Sequence, residues 1–210
     1  MHPMPTHPVE FDVDRPDRPL DRLSSFFRIV FAIPIVVALG AIGGAAFGGS
    51  DGGGLLLAGF ASGILFIPPL LTIVVRQKYP RWWFDFNLAY LAFDNRVLAY
   101  LLLLRDEYPS TDEEQAVHLR LPYPDVRADL NRWMPLVKWF LAIPHYVVLL
   151  FLSLGVVLAT VATWVCILFT GRQPRPLFDF TVGVMRWHNR VVAYAFALVT
   201  DQYPPFRLAP

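Results

Sequence analysis

The chain has 210 residues, of which 55% are hydrophobic and 15% aromatic, and its mean hydropathy is +0.45. Ordinary soluble domains are roughly half apolar even when glycine is counted, so this composition predicts a membrane protein. The formal net charge is only +1, which argues against a nucleic acid partner. The single cysteine, Cys166, excludes an intramolecular disulfide framework.

The opening segment is polar and interrupted by prolines, unlike a cleavable signal peptide, so we expect the first apolar segment to stay in the protein. Within this opening, VEFDVD from Val9 places apolar residues at alternate positions, as does VHLRLPYP from Val117. Such alternation is typical of half-buried strands, and the two stretches can pair into a small sheet at the cytoplasmic membrane surface. The alternative is an extended tail and an extended linker, because prolines crowd both sites.

The first long apolar region is predicted to form a transmembrane helical hairpin. Phe26 to about Phe47 and Leu55 to Val75 are each close to the roughly 20 residues that cross about 30 Å of hydrocarbon. Between them, Gly40 to Gly54 contains 8 of the 13 glycines of the chain. This composition predicts a flexible loop at the tip of the hairpin.

An amphipathic helix is predicted after this hairpin. Trp82 to Leu104 is long enough to span a membrane, but Asp94, Asn95 and Arg96 would then lie near its middle. Each central charge opposes insertion by about 2.5 to 3.5 kcal/mol, so the sequence favours a helix that lies at the membrane interface. The corresponding stretch further along the chain carries Arg186, His188, Asn189 and Arg190, and the same argument applies to it.

A second uncharged window extends from Trp139 to Gly171. Its 33 residues would form about 50 Å of helix, whereas two full crossings need about 60 Å. We expect a second transmembrane hairpin, with Trp133 to Lys138 joined to its first helix and with Lys138 snorkelling to the interface. A shallow hairpin that enters and leaves on the same side is the alternative.

The two halves of the chain resemble each other. Pro80 to Leu104 matches Pro174 to Leu198 without gaps at 11 of 25 positions, where chance would give about two. Asp21 to Pro34 and Asn131 to Pro144 share an arginine, a later basic residue and the sequence Ala-Ile-Pro. The alignment shifts by about 16 residues between these matches, which fits an insertion in the glycine-rich stretch. The sequence therefore predicts a tandem duplication.

The predicted fold class is an all-α membrane protein of two tandem repeats, each a transmembrane helical hairpin followed by an amphipathic interfacial helix, with the small sheet at the cytoplasmic surface. Residues 1–109 form the first repeat, 110–116 the linker and 117–210 the second repeat. Basic residues flank both hairpins, while the predicted tips carry none. Both termini, the linker and the interfacial helices are therefore expected on the cytoplasmic side of a multi-pass protein.

Several short motifs in the second half carry a family resemblance. They are Ala-Ile-Pro-His at Ala142, Phe-Thr-Gly-Arg at Phe169, Leu-Phe-Asp-Phe at Leu177 and the closing Asp-x-Tyr-Pro-Pro-Phe at Asp201. On these motifs the chain resembles the bacterial membrane family catalogued as domain of unknown function four-three-eight-nine. In the first half, Val-Arg-Gln-Lys replaces Phe-Thr-Gly-Arg, and Ile35 replaces the histidine. The resemblance implies an integral protein of the bacterial cytoplasmic (inner) membrane without established catalysis, and it supplies no functional residues.

Motifs for catalysis or cofactor binding are not found. No two of the five histidines have helical ligand spacing with a carboxylate nearby, so no metal site is expected. The glycine-rich stretch lacks the Lys-Ser/Thr that follows a phosphate-binding loop, and no Gly-x-Ser-x-Gly sequence occurs. We therefore expect neither an enzyme nor a cofactor.

Two basic and aromatic segments, YPRWWFDF from Tyr79 and QPRPLFDF from Gln173, are the candidate lipid-binding surfaces. Tryptophans suit the membrane interface, and cations beside them can meet lipid phosphates. The candidate head-group residues are Arg76, Lys78, Arg81, Trp82, Trp83, Arg172 and Arg175. The alternative is that these segments only anchor the protein at its correct depth.

The duplicated helices also contain aligned charges. Asp85 and Arg96 are eleven residues apart and share a helical face, as do Asp179 and Arg190. Antiparallel packing of the two helices would bring Asp85 toward Arg190 and Asp179 toward Arg96. We expect these reciprocal pairs to join the halves. The alternative is that each charge faces water or caps nearby backbone.

Two functions remain open from the sequence. The first is a non-catalytic membrane scaffold or accessory subunit, with other membrane protein subunits as partners. The alternative is a lipid-binding or lipid-handling membrane protein with a head-group site at the cytoplasmic interface.

Overall fold

A computed structural model describes residues 7–16, 19–42, 63–111 and 113–210 of the chain. Within these residues the protein is mostly helical, with six helices and a sheet of two strands. In chain order the elements are β1 (Glu10–Val13), α1 (Arg22–Ile42), α2 (Gly63–Arg76), α3 (Arg81–Leu101), β2 (Val117–Arg120), α4 (Met134–Leu141), α5 (Ile143–Thr170) and α6 (Arg175–Ala195).

The two strands pair antiparallel, with Phe11 opposite Leu119. Phe11 and Val13 point to the interior, where they pack in one cluster with Ala99 of α3 and Phe178 of α6. Successive strand residues face opposite sides, so the alternating sequence places its apolar residues on this covered face. The predicted two-stranded sheet is confirmed, and it lies against the third and sixth helices.

Two helices are long and apolar enough to cross a membrane. Arg22–Gly40 of α1 has a mean hydropathy of 2.1, and α5 has 2.4 over its 28 residues. Only 22% of the apolar window of each helix is buried, whereas a core helix of a soluble protein is mostly buried. Their exposed large side chains include Leu23, Phe26, Ile29, Phe31, Leu150, Phe151, Leu158 and Phe169. These helices therefore present an apolar surface to their surroundings.

The helices α1 and α5 run in opposite directions where they touch. The ring of Phe26, early in α1, stacks on Trp164, late in α5, with centroids 6.4 Å apart. The Arg22 Nη2 atom donates a hydrogen bond to the carbonyl of Phe169, 3.5 Å away. The first turn of α1 and the last turn of α5 therefore lie side by side.

The first predicted hairpin is described only at its two ends. Its first helix is α1, and its second ends as α2 at Arg76, close to the predicted end. The apolar part of α2, Phe66–Arg76, is shorter than the two candidate spans. The glycine-rich loop predicted between these helices lies outside the described residues.

The second predicted hairpin is wrong. Ile143–Thr170 is one uninterrupted helix of 28 residues, about 42 Å long, and only the eight-residue α4 precedes it. The uncharged window contains no cluster of turn residues that would reverse the chain. Its one proline, Pro144, lies in the first turn of α5, where a missing N–H is tolerated, so the chain bends at Ala142 and then continues as a single helix.

The helices α3 and α6 are not among the candidate spans, in agreement with the charge argument. However, α6 is largely covered by the rest of the protein, because 14 of its 21 residues are buried. The strand β1 and the C-terminal segment cover it: a Cβ placed on Gly183 would lie 2.9 Å from the Cβ of Leu208. Glycine at position 183 therefore allows the C-terminal segment to pack directly on α6.

Candidate head-group site

The two halves meet through a reciprocal pair of asparagines. The Asn95 Nδ2 donates to Asn189 Oδ1 at 2.8 Å, and Asn189 Nδ2 donates to Asn95 Oδ1 at 2.7 Å. Each amide also donates to the carbonyl four residues earlier in its own helix, Leu91 or Met185. Both side chains are buried, and they occupy matched positions of the repeated sequence.

The predicted pairs between Asp85 and Arg190 and between Asp179 and Arg96 are not formed. Asp85 lies 3.8 Å from Arg81 in its own helix, and Asp179 is exposed with no ion-pair partner in the part of the chain that the structure describes. The Arg96 guanidinium donates to a carbonyl, that of Ser110. The Arg190 guanidinium donates to the carbonyls of Arg207 and Ala209.

Helix geometry explains this correction. Because Asn95 meets Asn189, the point where α3 and α6 cross lies at these residues. Asp85 is ten residues before Asn95, about 15 Å along the α3 axis, so it cannot reach Arg190, which is next to the crossing. The repeated sequence does join the halves, but through its amides rather than its charges.

Two aligned arginines bind the last turns of apolar helices in the opposite half. Arg22 donates to the Phe169 carbonyl at the end of α5, and Arg132 Nε donates to the Val74 carbonyl near the end of α2 at 2.6 Å. The last carbonyls of a helix lack partners within the helix and carry partial negative charge, so a guanidinium stabilises them.

Aligned basic residues also form two buried ion pairs. Arg28 pairs with Asp106, and Lys138 Nζ lies 2.7 Å from an Asp201 carboxylate oxygen. The Lys138 ammonium is fully buried and also donates to the Thr200 carbonyl at 2.7 Å. Lys138 therefore does not snorkel to the interface, and this prediction is wrong.

Two of the predicted head-group residues, Arg172 and Arg175, line a cavity of about 380 Å³ after α5. Its lining residues are Arg15, Pro16, Pro19, Leu20, Gly171, Arg172, Gln173 and Arg175. Two hydrogen bonds fix its walls: the Leu20 N–H donates to the Gly171 carbonyl at 3.2 Å, and Arg15 Nη2 donates to the Gln173 carbonyl at 3.1 Å. We call this cavity the arginine cavity.

The arginine cavity lies where both candidate spans end. Gly171 directly follows α5 and has a left-handed φ of 71°, which favours glycine and turns the chain away from the helix. Leu20 lies just before α1. The cavity therefore lies next to the boundary between apolar helices and polar chain.

Among the described residues, the positive charge of the arginine cavity is not compensated. The side chains of Arg172 and Arg175 are exposed and have neither an acidic partner nor a hydrogen-bond acceptor among the described residues. The described lining residues include no aspartate or glutamate; Asp17 and Arg18, which stand between Pro16 and Pro19 in the sequence, lie outside the described residues. In addition, α6 begins at Arg175, and its N-cap Pro174 provides no side-chain cap, so the dipole of a 21-residue helix adds positive potential. These features suit an anion.

At the aligned junction of the first half, Gln77 to Arg81, the contacting side chain is Tyr123. The Tyr123 hydroxyl donates to the Tyr79 carbonyl at 2.6 Å, and the Arg81 guanidinium lies 4.9 Å from the Tyr123 ring centroid. Burial raises the pKa of Tyr79 to about 12, so its phenol stays neutral and donates to the Ala197 carbonyl at 3.0 Å. We call this region the tyrosine junction.

The remaining candidates in the first half are surface residues. Arg76 and Lys78 are exposed, and Trp82 is 66% exposed with its ring centroid 4.8 Å from that of Trp83. The structure thus separates the predicted head-group residues into an exposed group and a group in the cavity. Sequence reasoning missed Arg15, although its position six residues after Val9 matches that of Tyr123 after Val117.

No group of three histidine, cysteine, aspartate or glutamate side chains that could hold a metal occurs among the described residues. His145, at the start of α5, is fully buried and accepts a hydrogen bond from Trp187 Nε1 at 3.1 Å. Its ring stacks on Phe206, with centroids 4.1 Å apart. His145 is therefore a packed interior residue.

Comparison with known families gives one match. No match was found among curated proteins or among solved structures. The family model described as "Domain of unknown function (DUF4389)" matches residues 132–207 and matches once. The matched region covers most of the second half of the chain and includes Arg172 and Arg175 of the arginine cavity.

Proposed function

We propose that this protein is a non-enzymatic integral membrane protein that binds lipid, with anionic head groups held at the cytoplasmic ends of its apolar helices. The observation that carries the proposal is the position of the arginine cavity at the ends of both candidate spans. Cations at this depth meet lipid phosphates, while the adjacent helices contact acyl chains. In this proposal the first half crosses the bacterial inner membrane twice, and both termini are cytoplasmic. Because β1 pairs with β2 and packs on α6, the uninterrupted α5 begins and ends on that same side, so it is embedded in the membrane without a complete crossing.

The exposed surfaces of α1 and α5 support a bilayer location. Ile29 is 79% exposed and Phe169 is 80% exposed. Leaving one such side chain in water rather than burying it forfeits about 1.5 to 3 kcal/mol. A lipid environment removes this cost along both helices.

The proposal includes a tandem arrangement in which the first half is a diverged copy of the matched family. The reciprocal asparagines support it because they join aligned positions. The arginine contacts at the helix ends and the two buried ion pairs support it because aligned basic residues, Arg22 with Arg132 and Arg28 with Lys138, make equivalent contacts. Divergence of the first half, where Ile35 stands in place of the histidine, is consistent with a single family match in the second half.

An accessory subunit of a larger membrane complex is the second candidate. The observation that favours it is an aromatic group on one face of α1: the rings of Phe26 and Phe27 lie 5.0 Å apart and those of Phe27 and Phe31 lie 6.5 Å apart. All three side chains are exposed, and another membrane protein could cover them as well as lipid.

Purification in mild detergent distinguishes these functions. Lipids that remain bound are compared by mass spectrometry with the total lipid of the same membranes. Enrichment of an anionic lipid class supports lipid binding. Stoichiometric protein partners without any lipid enrichment would favour the accessory subunit and count against our proposal.

Thiol labelling tests the topology. Ser110 and Ser50, which lies outside the described residues, are each replaced by cysteine in a Cys166→Ser background. We expect an impermeant reagent applied to intact cells to label position 50 and not position 110. The reverse pattern would overturn the orientation.

A further inference from the structure

We infer that the chain has one phosphate-binding site, the arginine cavity of the second half, and that Tyr123 closes the aligned site of the first half. This inference rests on the proposed function and specifies its ligand and stoichiometry. The ligand chemistry is a phosphate ester, which a lipid head group supplies at this depth.

Arg15 and Tyr123 hold matched places in the two halves. Each lies six residues after the valine that opens its strand segment, and each precedes a proline. Arg15 donates to the carbonyl of Gln173, and Tyr123 donates to the carbonyl of Tyr79, which aligns with Gln173. The two side chains therefore make the same backbone contact at their respective junctions.

A second contact shows the same correspondence. The Arg15 guanidinium lies 6.0 Å from the ring centroid of Phe178, and the Tyr123 ring lies 5.1 Å from that of Phe84, the residue aligned with Phe178. The difference between the junctions is thus chemical. Arg15 adds a third guanidinium to Arg172 and Arg175, whereas Tyr123 places an aromatic ring where Arg81 stacks.

The charge and shape of the arginine cavity favour phosphate. Three arginines line it, and none of its described lining residues is acidic. Guanidinium groups bind phosphate oxygens through parallel hydrogen bonds, and a tetrahedral phosphate can accept from more than one of them, whereas a single carboxylate offers only two oxygens. A volume of about 380 Å³ lies within the range of about 300 to 1,000 Å³ typical of small-ligand sites.

Native mass spectrometry of the full chain in neutral detergent tests the site, with phosphatidylglycerol as the probe and phosphatidylcholine as the reference. We expect one tightly bound phosphatidylglycerol per chain. Arg172→Gln combined with Arg175→Gln should weaken its binding at least tenfold, and both side chains are exposed, so folding should be preserved. The matched control is Lys78→Gln with Arg81→Gln, at the aligned positions, which should leave binding unchanged.

Substitutions at Arg15 and Tyr123, the residues that distinguish the two junctions, should have opposite effects on the number of tightly bound phosphatidylglycerol molecules. Arg15→Tyr should abolish the tight site, and Tyr123→Arg should create a second one in the first half. Thermal unfolding in detergent verifies that each variant is folded. We call Arg172→Gln combined with Arg175→Gln the cavity variant. If the cavity variant and the control lose phosphatidylglycerol binding equally, or if neither loses it, the inference is overturned.

Inorganic phosphate identifies the source of the ligand. Displacement of the bound lipid by inorganic phosphate, absent in the cavity variant, supports recognition of the phosphate itself. Binding of inorganic phosphate without retention of any lipid would keep the phosphate site and reject lipid as its source. If the cavity variant retains the same enrichment of anionic lipid as the parent protein, this inference is overturned but the proposed function stands.

Discussion

The arginine cavity and the tyrosine junction occupy aligned positions of the two halves, but their arginines have different surroundings. In the second half, Arg172 and Arg175 have no partner among the described residues. In the first half, Arg81 stacks on Tyr123 and pairs with Asp85. The two junctions therefore have similar backbone contacts but different charges. The difference comes from one residue of a distant strand segment, which is Arg15 in one junction and Tyr123 in the other.

A different set of aligned positions has kept its role. The asparagine pair, the arginines that bind helix ends and the buried ion pairs are all present in both halves. The asparagine pair and the ion pairs lie between packed segments, whereas Arg81, Arg172 and Arg175 of the two junctions are exposed at the surface. Contacts that hold the fold together, within each half and between the halves, are therefore present at aligned positions, whereas Arg15 and Tyr123 at the two junctions differ.

The largest expected loss of stability comes from breaking a buried ion pair, and the loss should differ between the two pairs. Asp106→Asn leaves the Arg28 guanidinium buried without its carboxylate and should destabilise the protein by about 3 to 5 kcal/mol. Asp201→Asn should cost less, because burial lowers the pKa of Lys138 and an isolated lysine can lose its proton, whereas arginine cannot. Chemical unfolding in detergent measures both. A larger loss for Asp201→Asn would contradict this comparison.

The asparagine pair tests whether the halves are coupled. Asn95→Ala leaves the opposite amide buried with an unsatisfied group and should cost about 1 to 3 kcal/mol, as should Asn189→Ala. The double variant should cost little more than either single one, since neither amide then lacks its partner. Unfolding of all four proteins completes the cycle. Strictly additive losses would show that the two amides act independently.

Aligned positions 94 and 188 should respond to pH in opposite directions. Burial raises the pKa of Asp94 to about 7, so its protonated form stabilises the fold at low pH and this contribution is lost as pH rises through 7. Burial lowers the pKa of His188 to about 4, so its contribution is present above 6.5 and lost as pH falls through 4.

The two positions are tested by single substitutions. As pH rises from 4 to 7, the stability of Asp94→Asn should increase relative to that of the parent protein. The stability of His188→Gln should decrease relative to the parent over the same range. After allowance for partial exposure, each change should reach about 1 to 2 kcal/mol. Thermal unfolding across this range measures both. Parallel responses would refute the opposite assignment of the two groups.

The smallest expected effect concerns the arginines at helix ends. Arg132 donates to the Val74 and Val75 carbonyls at 2.6 and 3.4 Å, whereas Arg22 makes one bond of 3.5 Å to Phe169. Arg132→Gln should cost up to about 1 kcal/mol and Arg22→Gln a few tenths. Unfolding midpoints are compared, with Arg127→Gln as a surface control. A larger loss for Arg22→Gln would reverse the ranking.

Residue patterns predicted much of the local structure. Alternation predicted the paired strands around Phe11 and Leu119, and apolar length predicted α1. Charge placement indicated that α3 and α6 are not candidate spans. These features depend on neighbouring residues, whose spacing is visible in the sequence itself.

Other predictions failed where a distant contact decides the outcome. Length alone could not show whether Trp139 to Gly171 forms one helix or two, since both satisfy the same apolar pattern. Counting charges also did not show that Arg190 of α6 is buried, with two of its nitrogens donating to the carbonyls of Arg207 and Ala209. Buried charge is tolerated when such partners exist, and a sequence does not show where its C-terminal segment packs.

By itself, the sequence determined the first apolar helix, the strand periodicity and the alignment of the two halves, because these follow from side-chain type and local spacing. It also placed Arg172 and Arg175 among the candidate head-group residues. Only the tertiary structure decided that the halves meet through Asn95 and Asn189, and that Arg15 completes the cavity. Those contacts bring together residues 94 and more positions apart in the chain, so they depend on how the helices cross rather than on any local pattern.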